Sequence, residues 1–76
     1  MKYIIFEDFS GQAVPVLFPD RVRHEELREV IPYSKVLSAG YVSALDGEFR
    51  CHGESKELDA RSRPEDGEII TGHFRN

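Results

Sequence analysis

The sequence predicts an α+β fold: a four-stranded, mostly antiparallel sheet with both of two helices packed on one face, in the order ββαββα. Three observations carry the prediction. The stretch KVLSAGYVSALDGEFRCHG, residues 35–53, alternates about a central Asp46-Gly47, the signature of a β-hairpin. Residues 2–8 and 13–18 (KYIIFED and AVPVLF) are dense in β-branched and aromatic types and flank a loop containing Gly11. Two further segments carry helix-start and helix-stop signals.

The hairpin fixes most. Asp-Gly suits a two-residue type I′ turn, in which both central residues need φ > 0. Leu45 then faces Glu48, Ala44 faces Phe49, Ser43 faces Arg50, Val42 faces Cys51 and Tyr41 faces His52. Side chains alternate along a strand, so one face holds Val42, Ala44, Phe49 and Cys51. The other holds Tyr41, Ser43, Leu45, Glu48, Arg50 and His52. A slip of one residue would exchange the two sets, so the apolar pattern pins the register. Gly40 and Gly53 face each other where pairing ends, a place for a bend or bulge.

The first strand has Tyr3 and Ile5 on one face and Ile4 and Phe6 on the other, as expected of a central strand. Pro15 cannot donate to a ladder and places the second strand at an edge or a bulge. Asp20 is the expected N-cap of a helix running to Ile31, with Leu27, Val30 and Ile31 as its buried stripe. Pro32 stops it, and Tyr33-Ser34 turns the chain into the hairpin. Because the second and third strands are joined through a helix, they are able to lie side by side in parallel with a right-handed crossover. Residues 54–61 (ESKELDAR) read as a loop. Ser62 and Glu65 form a capping box with Pro64 in the first turn. The helix that follows is expected to bury Ile69, Ile70, His73 and Phe74. The two ββα halves share no residue-level similarity.

Composition narrows the class. The chain has 76 residues, 39% apolar and 32% charged, as in one folded domain. A domain this small buries only about 60% of its unfolded surface. The single cysteine excludes an internal disulfide, and a homodimer is one way to gain burial. The net charge of −4, with no long basic tract, lacks the footprint of a duplex-DNA binder. YIIF and VPVLF are too short to span a bilayer, and MKYIIFEDF does not read as a signal peptide. The expected location is a reducing cytoplasm.

Chemistry is sparse. Cys51 and His52 are adjacent on a strand and point to opposite faces, so they cannot line one site. A cysteine nucleophile would need His24 or His73 instead. One cysteine and three scattered histidines lack metal-ligand spacing. No cofactor, metal or catalytic residue is expected. The acidic pairs, Glu65-Asp66 among them, read as solvated or helix-start carboxylates. Arg21, Arg23 and Arg28 near the first helix, with Arg61 and Arg63 before the second, are the nucleic-acid candidates, each group diluted by acids. The more promising surface is the second hairpin face, where Tyr41, Leu45, Arg50 and His52 combine residue types enriched at interface anchors. On a sheet covered from one side only, Tyr3 and Ile5 or Ile4 and Phe6 would extend that face with large apolar groups, unusual in a monomer.

At VLSAGYVSALDG, CHGES and SRPED the chain resembles small uncharacterised proteins of bacterial phages and prophages. The resemblance implies a short accessory protein of the phage or prophage and brings no activity, cofactor or site residue with it. The expectation is a non-enzymatic protein-interaction module, binding a protein partner or itself through the open sheet face or an edge strand. The alternatives are a small nucleic-acid-associated protein using Arg21, Arg23, Arg61 and Arg63, and a minimal enzyme or metal protein.

Overall fold

A computed structural model describes residues 1–33 and 35–74. The elements are β1 (Lys2–Glu7), β2 (Ala13–Phe18), α1 (His24–Val30), β3 (Lys35–Leu45), β4 (Glu48–His52), β5 (Glu54–Ser55), β6 (Ala60–Arg61) and α2 (Asp66–Phe74). The fold is α+β, with β1 to β4 in one four-stranded sheet of order β2-β1-β3-β4. Every neighbouring pair in it is antiparallel. The parallel contact open to the second and third strands is not made, because β1 lies between them.

Asp46 and Gly47 sit at φ 52° and 80°, as a type I′ turn requires. All five hairpin pairs, from Leu45↔Glu48 to Tyr41↔His52, have the register the alternation demands. At the far end, a Cβ on Gly40 would lie 2.6 Å from the His52 carbonyl oxygen, so only glycine lets the backbones approach there.

The layer arrangement departs from expectation. Tyr3, Ile5, Val42 and Ile70 form one buried cluster, joined by Ile69 of α2. Ile4, Phe6, Phe18 and Ala39 form a second, joined by Leu27 of α1 and by Leu58 and Ala60 around the β5-β6 ribbon. Successive residues of β1 feed opposite clusters, so the two helices lie on opposite faces of the sheet rather than on one. The cause is in β1 itself. With apolar side chains on both sides, the strand needs cover on both sides. The segment expected as a loop after Gly53 supplies part of that cover, its ends pairing as Glu54↔Arg61 and Ser55↔Ala60.

Both helices begin later than the sequence suggests. Asp20 does not cap α1; Arg23 precedes it, and Glu26 reaches back to accept the Arg23 backbone N–H at 3.1 Å. The shortened α1 leaves Val30 74% exposed, while Leu27 and Ile31 keep the buried side. Before α2, the Ser62 N–H is taken by the Gly53 carbonyl at 3.0 Å and is not part of a capping box. The equivalent contact is made one residue on, where Asp66 accepts the Arg63 N–H at 2.9 Å. Ile70 is buried as expected, but His73 and Phe74 are exposed at the end of the helix. The predicted Tyr33-Ser34 turn includes Ser34, outside the described residues.

Candidate interaction surface

The second hairpin face lies on the α1 side of the sheet, and cover stops partway along it. Tyr41 marks the boundary. It is 37% exposed, stacked on His52 at 5.9 Å and 24° on one side and met edge-on by His24 at 5.9 Å on the other. His24, the first residue of α1, is only 3% exposed. Phe18 meets its ring edge-on at 5.3 Å, and its Nε2 lies 3.0 Å from the Gly40 carbonyl oxygen. A carbonyl only accepts, so Nε2 is the donor of this hydrogen bond. A cavity of about 280 Å³ opens beside Tyr41, lined by Lys2, His24, Ser55 and Glu54 among others. The Ser55 hydroxyl is buried there without a hydrogen-bond partner among the described residues.

Beyond Tyr41 the face is bare. Leu45 is 51% exposed, and Ser43, Glu48, Arg50 and His52 are exposed with it. Arg50 and Glu48 make no ion pair or side-chain hydrogen bond among the described residues. Tyr41, Leu45, Arg50 and His52 therefore do share one surface. The extension of it expected from the first strand does not exist: Tyr3, Ile4, Ile5 and Phe6 are all fully buried.

The sheet edges are guarded. β2 carries Pro15 at its centre, opposite Ile5, and lacks that backbone donor. In a hairpin closed by the Leu45↔Glu48 pair, the Phe49 carbonyl points outward from β4. The start of α2 presses on it: a Cβ on Gly67 would lie 2.6 Å from that oxygen. Alongside runs a groove of about 650 Å³ between β4 and α2, lined by Phe49, Cys51, Arg63, Gly67 and Thr71 among others.

Behind this groove lies the polar cluster that sequence reasoning missed. Asp66 is completely buried. It accepts the Tyr3 hydroxyl at 2.5 Å and the Arg63 Nε–H at 2.9 Å, besides the Arg63 backbone N–H. Burial first, then the Asp66 hydrogen bond, push the Tyr3 phenol far above its ordinary range. Burial also raises the Cys51 thiol. That keeps it in the thiol form and unreactive at neutral pH. One signal for Asp66 was present in the sequence: it precedes Ile69 and Ile70 at the i, i+3, i+4 spacing of a buried stripe.

Elsewhere, His73 is exposed against the Phe74 ring. Among the described residues no cluster of three or more His, Cys, Asp or Glu side chains could hold a metal ion. Two of the four nucleic-acid candidates are held by carboxylates: Arg23 by Glu26 and Glu57, Arg63 by Asp66 and Glu65. Arg21 and Arg61 are exposed. Arg21 and Arg23 precede α1 while Arg61 and Arg63 precede α2, helices on opposite sheet faces. No helix among the described residues is long and apolar enough to cross a membrane. No protein-family model matches the chain, and neither a curated protein nor a solved structure matches it significantly.

Proposed function

We propose that the chain is a non-enzymatic protein-interaction module, a small accessory protein of phage or prophage type working in a bacterial cytoplasm. Its contact surface is the outer face of the β3-β4 hairpin. One observation carries the reading: half-exposed Leu45 stands opposite unpaired Glu48 and diagonal to unpaired Arg50, on an outer hairpin face that neither helix covers. The face is favoured over an edge strand because Pro15 blunts one edge of the sheet and Gly67 closes against the other. Tyr41 and His52 form the inner margin of the contact, and Leu45 and Arg50 its outer half. Apolar and guanidinium groups side by side are what an interface anchor requires.

The test is retention of a defined partner on the immobilised chain, compared with Leu45→Ala, Arg50→Ala and Tyr41→Ala. Circular dichroism serves as the fold control. The expected result is weakened retention by all three, with the spectrum unchanged for the first two. Undiminished binding by Leu45→Ala and Arg50→Ala would remove the hairpin face from consideration.

A further inference from the structure

We infer that the partner this face accepts is a second copy of the same chain, docked hairpin on hairpin about a two-fold axis. The inference rests on the interaction reading above and names its partner. Glu48 and Arg50 are two positions apart on β4, so they point to the same face about 6.6 Å from each other. Both are exposed and without a partner among the described residues. An acid and a base at that spacing on one strand form a self-complementary pair.

The geometry follows from the pairing. Ala44 and Phe49 are directly opposite each other, one row between Leu45↔Glu48 and Ser43↔Arg50. An axis crossing the hairpin at the Ala44-Phe49 row, midway between the two stacked faces, reverses the strand direction. It sets each Glu48 against the other copy's Arg50, twice, and lays each Leu45 over the other's Ser43. Such an isologous contact closes on itself and adds no third copy.

Charge says why a copy fits here. The chain carries a net −4, so two copies repel at most orientations. On the outer strand face of that end Glu48 and Arg50 cancel, with Asp46 beyond them in the turn, and the two-fold turns cancellation into attraction. The face is small, so the dimer is weak and concentration-dependent, at the low end of interface size.

Sedimentation equilibrium over a concentration series at low salt tests this. The wild type is expected to associate reversibly, less so as salt rises. E48R and R50E each replace two attractive pairs by two repulsive ones and are expected to weaken association about tenfold or more. The double variant E48R/R50E restores the pairs and is expected to associate as the wild type does. An equimolar mixture of E48R and R50E is expected to form a heterodimer although each alone does not. A wild type that stays monomeric throughout overturns the inference, as does association unaffected by either reversal or a double variant that fails to recover. The broader reading fails separately. If the wild type is monomeric yet Leu45→Ala still loses a defined protein partner, only the self-docking is wrong.

Discussion

Asp66 offers the sharpest test of what holds α2 to the sheet. Its carboxylate is fully buried and accepts three hydrogen bonds, one from Tyr3 and two from Arg63. Asp66→Asn keeps the shape and removes the charge. Its amide NH₂ then faces donors, and the Arg63 guanidinium loses its buried counterion. Breaking a buried pair from one side costs about 3–5 kcal/mol, and the remaining amide oxygen keeps the expected loss near the lower value, about 3 kcal/mol. Tyr3→Phe removes one bond to a charged acceptor and leaves the ring in place, for about 1.5 kcal/mol. The two losses should not add. Once Asp66 is neutral, the Tyr3 hydroxyl has lost its strong acceptor, so deleting it costs little further. The double variant is expected to be more stable than the sum of the singles predicts by about 1 kcal/mol or more. Against a stability of roughly 4–11 kcal/mol for a domain of 76 residues, each variant remains folded enough to measure. Urea unfolding at neutral pH, followed by circular dichroism with the m-value as a check on two-state behaviour, gives all four corners of the cycle. Additivity within about 0.5 kcal/mol, or an Asp66→Asn variant as stable as the wild type, would refute the cluster as a structural clamp.

The same phenol sets an alkaline limit. Its folded pKa lies well above the ordinary value of 10.0, so its contribution is fully present below pH 10 and is lost as pH rises beyond that, because only the unfolded chain releases the proton. Urea titrations above pH 10 should show a loss of about 1.4 kcal/mol per pH unit from this group, and Tyr3→Phe should flatten the slope by that amount. Two glycines of α2 provide a contrast of sign. A methyl at Gly72 meets nothing within 4 Å, so Gly72→Ala is expected to stabilise by up to about 1 kcal/mol. At Gly67 the same methyl would lie 2.6 Å from the Phe49 carbonyl oxygen, and Gly67→Ala is expected to destabilise by about 1–3 kcal/mol. Thermal and urea unfolding of the pair should move in opposite directions, and a stabilised Gly67→Ala would mean that the helix does not press on the strand.

The hairpin was legible because one dipeptide and one alternation specify it: Asp46-Gly47 sets the turn, and Val42, Phe49 and Cys51 set the face. The edge position of β2 was legible in Pro15. The helix layers were misread although β1 held the information, since apolar residues at four successive positions, Tyr3 to Phe6, cannot be served from one side. Local signals decided the helix starts wrongly for a tertiary reason. Asp20 lies by the N-terminus, its carboxylate 3.0 Å from the Met1 ammonium, and Ser62 is tied to Gly53, so neither acts as a cap. The burial of His24 and Asp66 was not legible for a related cause. Each is a polar residue at a position facing the sheet, where its hydrogen-bond partner comes from a distant strand, Gly40 for one and Tyr3 for the other. Nothing in the sequence adjacent to either residue names that partner.

The bare end of the hairpin follows from how this small chain divides its cover. Two short helices and a two-stranded ribbon must serve both faces of a four-stranded sheet. They close over β1 completely, and on the α1 side they reach along β3 only as far as Tyr41. The rows beyond Tyr41 are held from the inner face only, where Val42 joins the core cluster and Phe49 meets Phe74 of α2, and by the type I′ turn. Exposed Ala44 and Leu45 at that end gain nothing from the domain's own core. A charged side chain would serve solubility better at Leu45, where a leucine leaves apolar surface in water opposite an acid and diagonal to a base. Such a position is stabilised when something covers it, and the free charges flanking it favour a cover of matching charge. The outer face of the hairpin end is thus the part of the sheet that the chain itself leaves without cover.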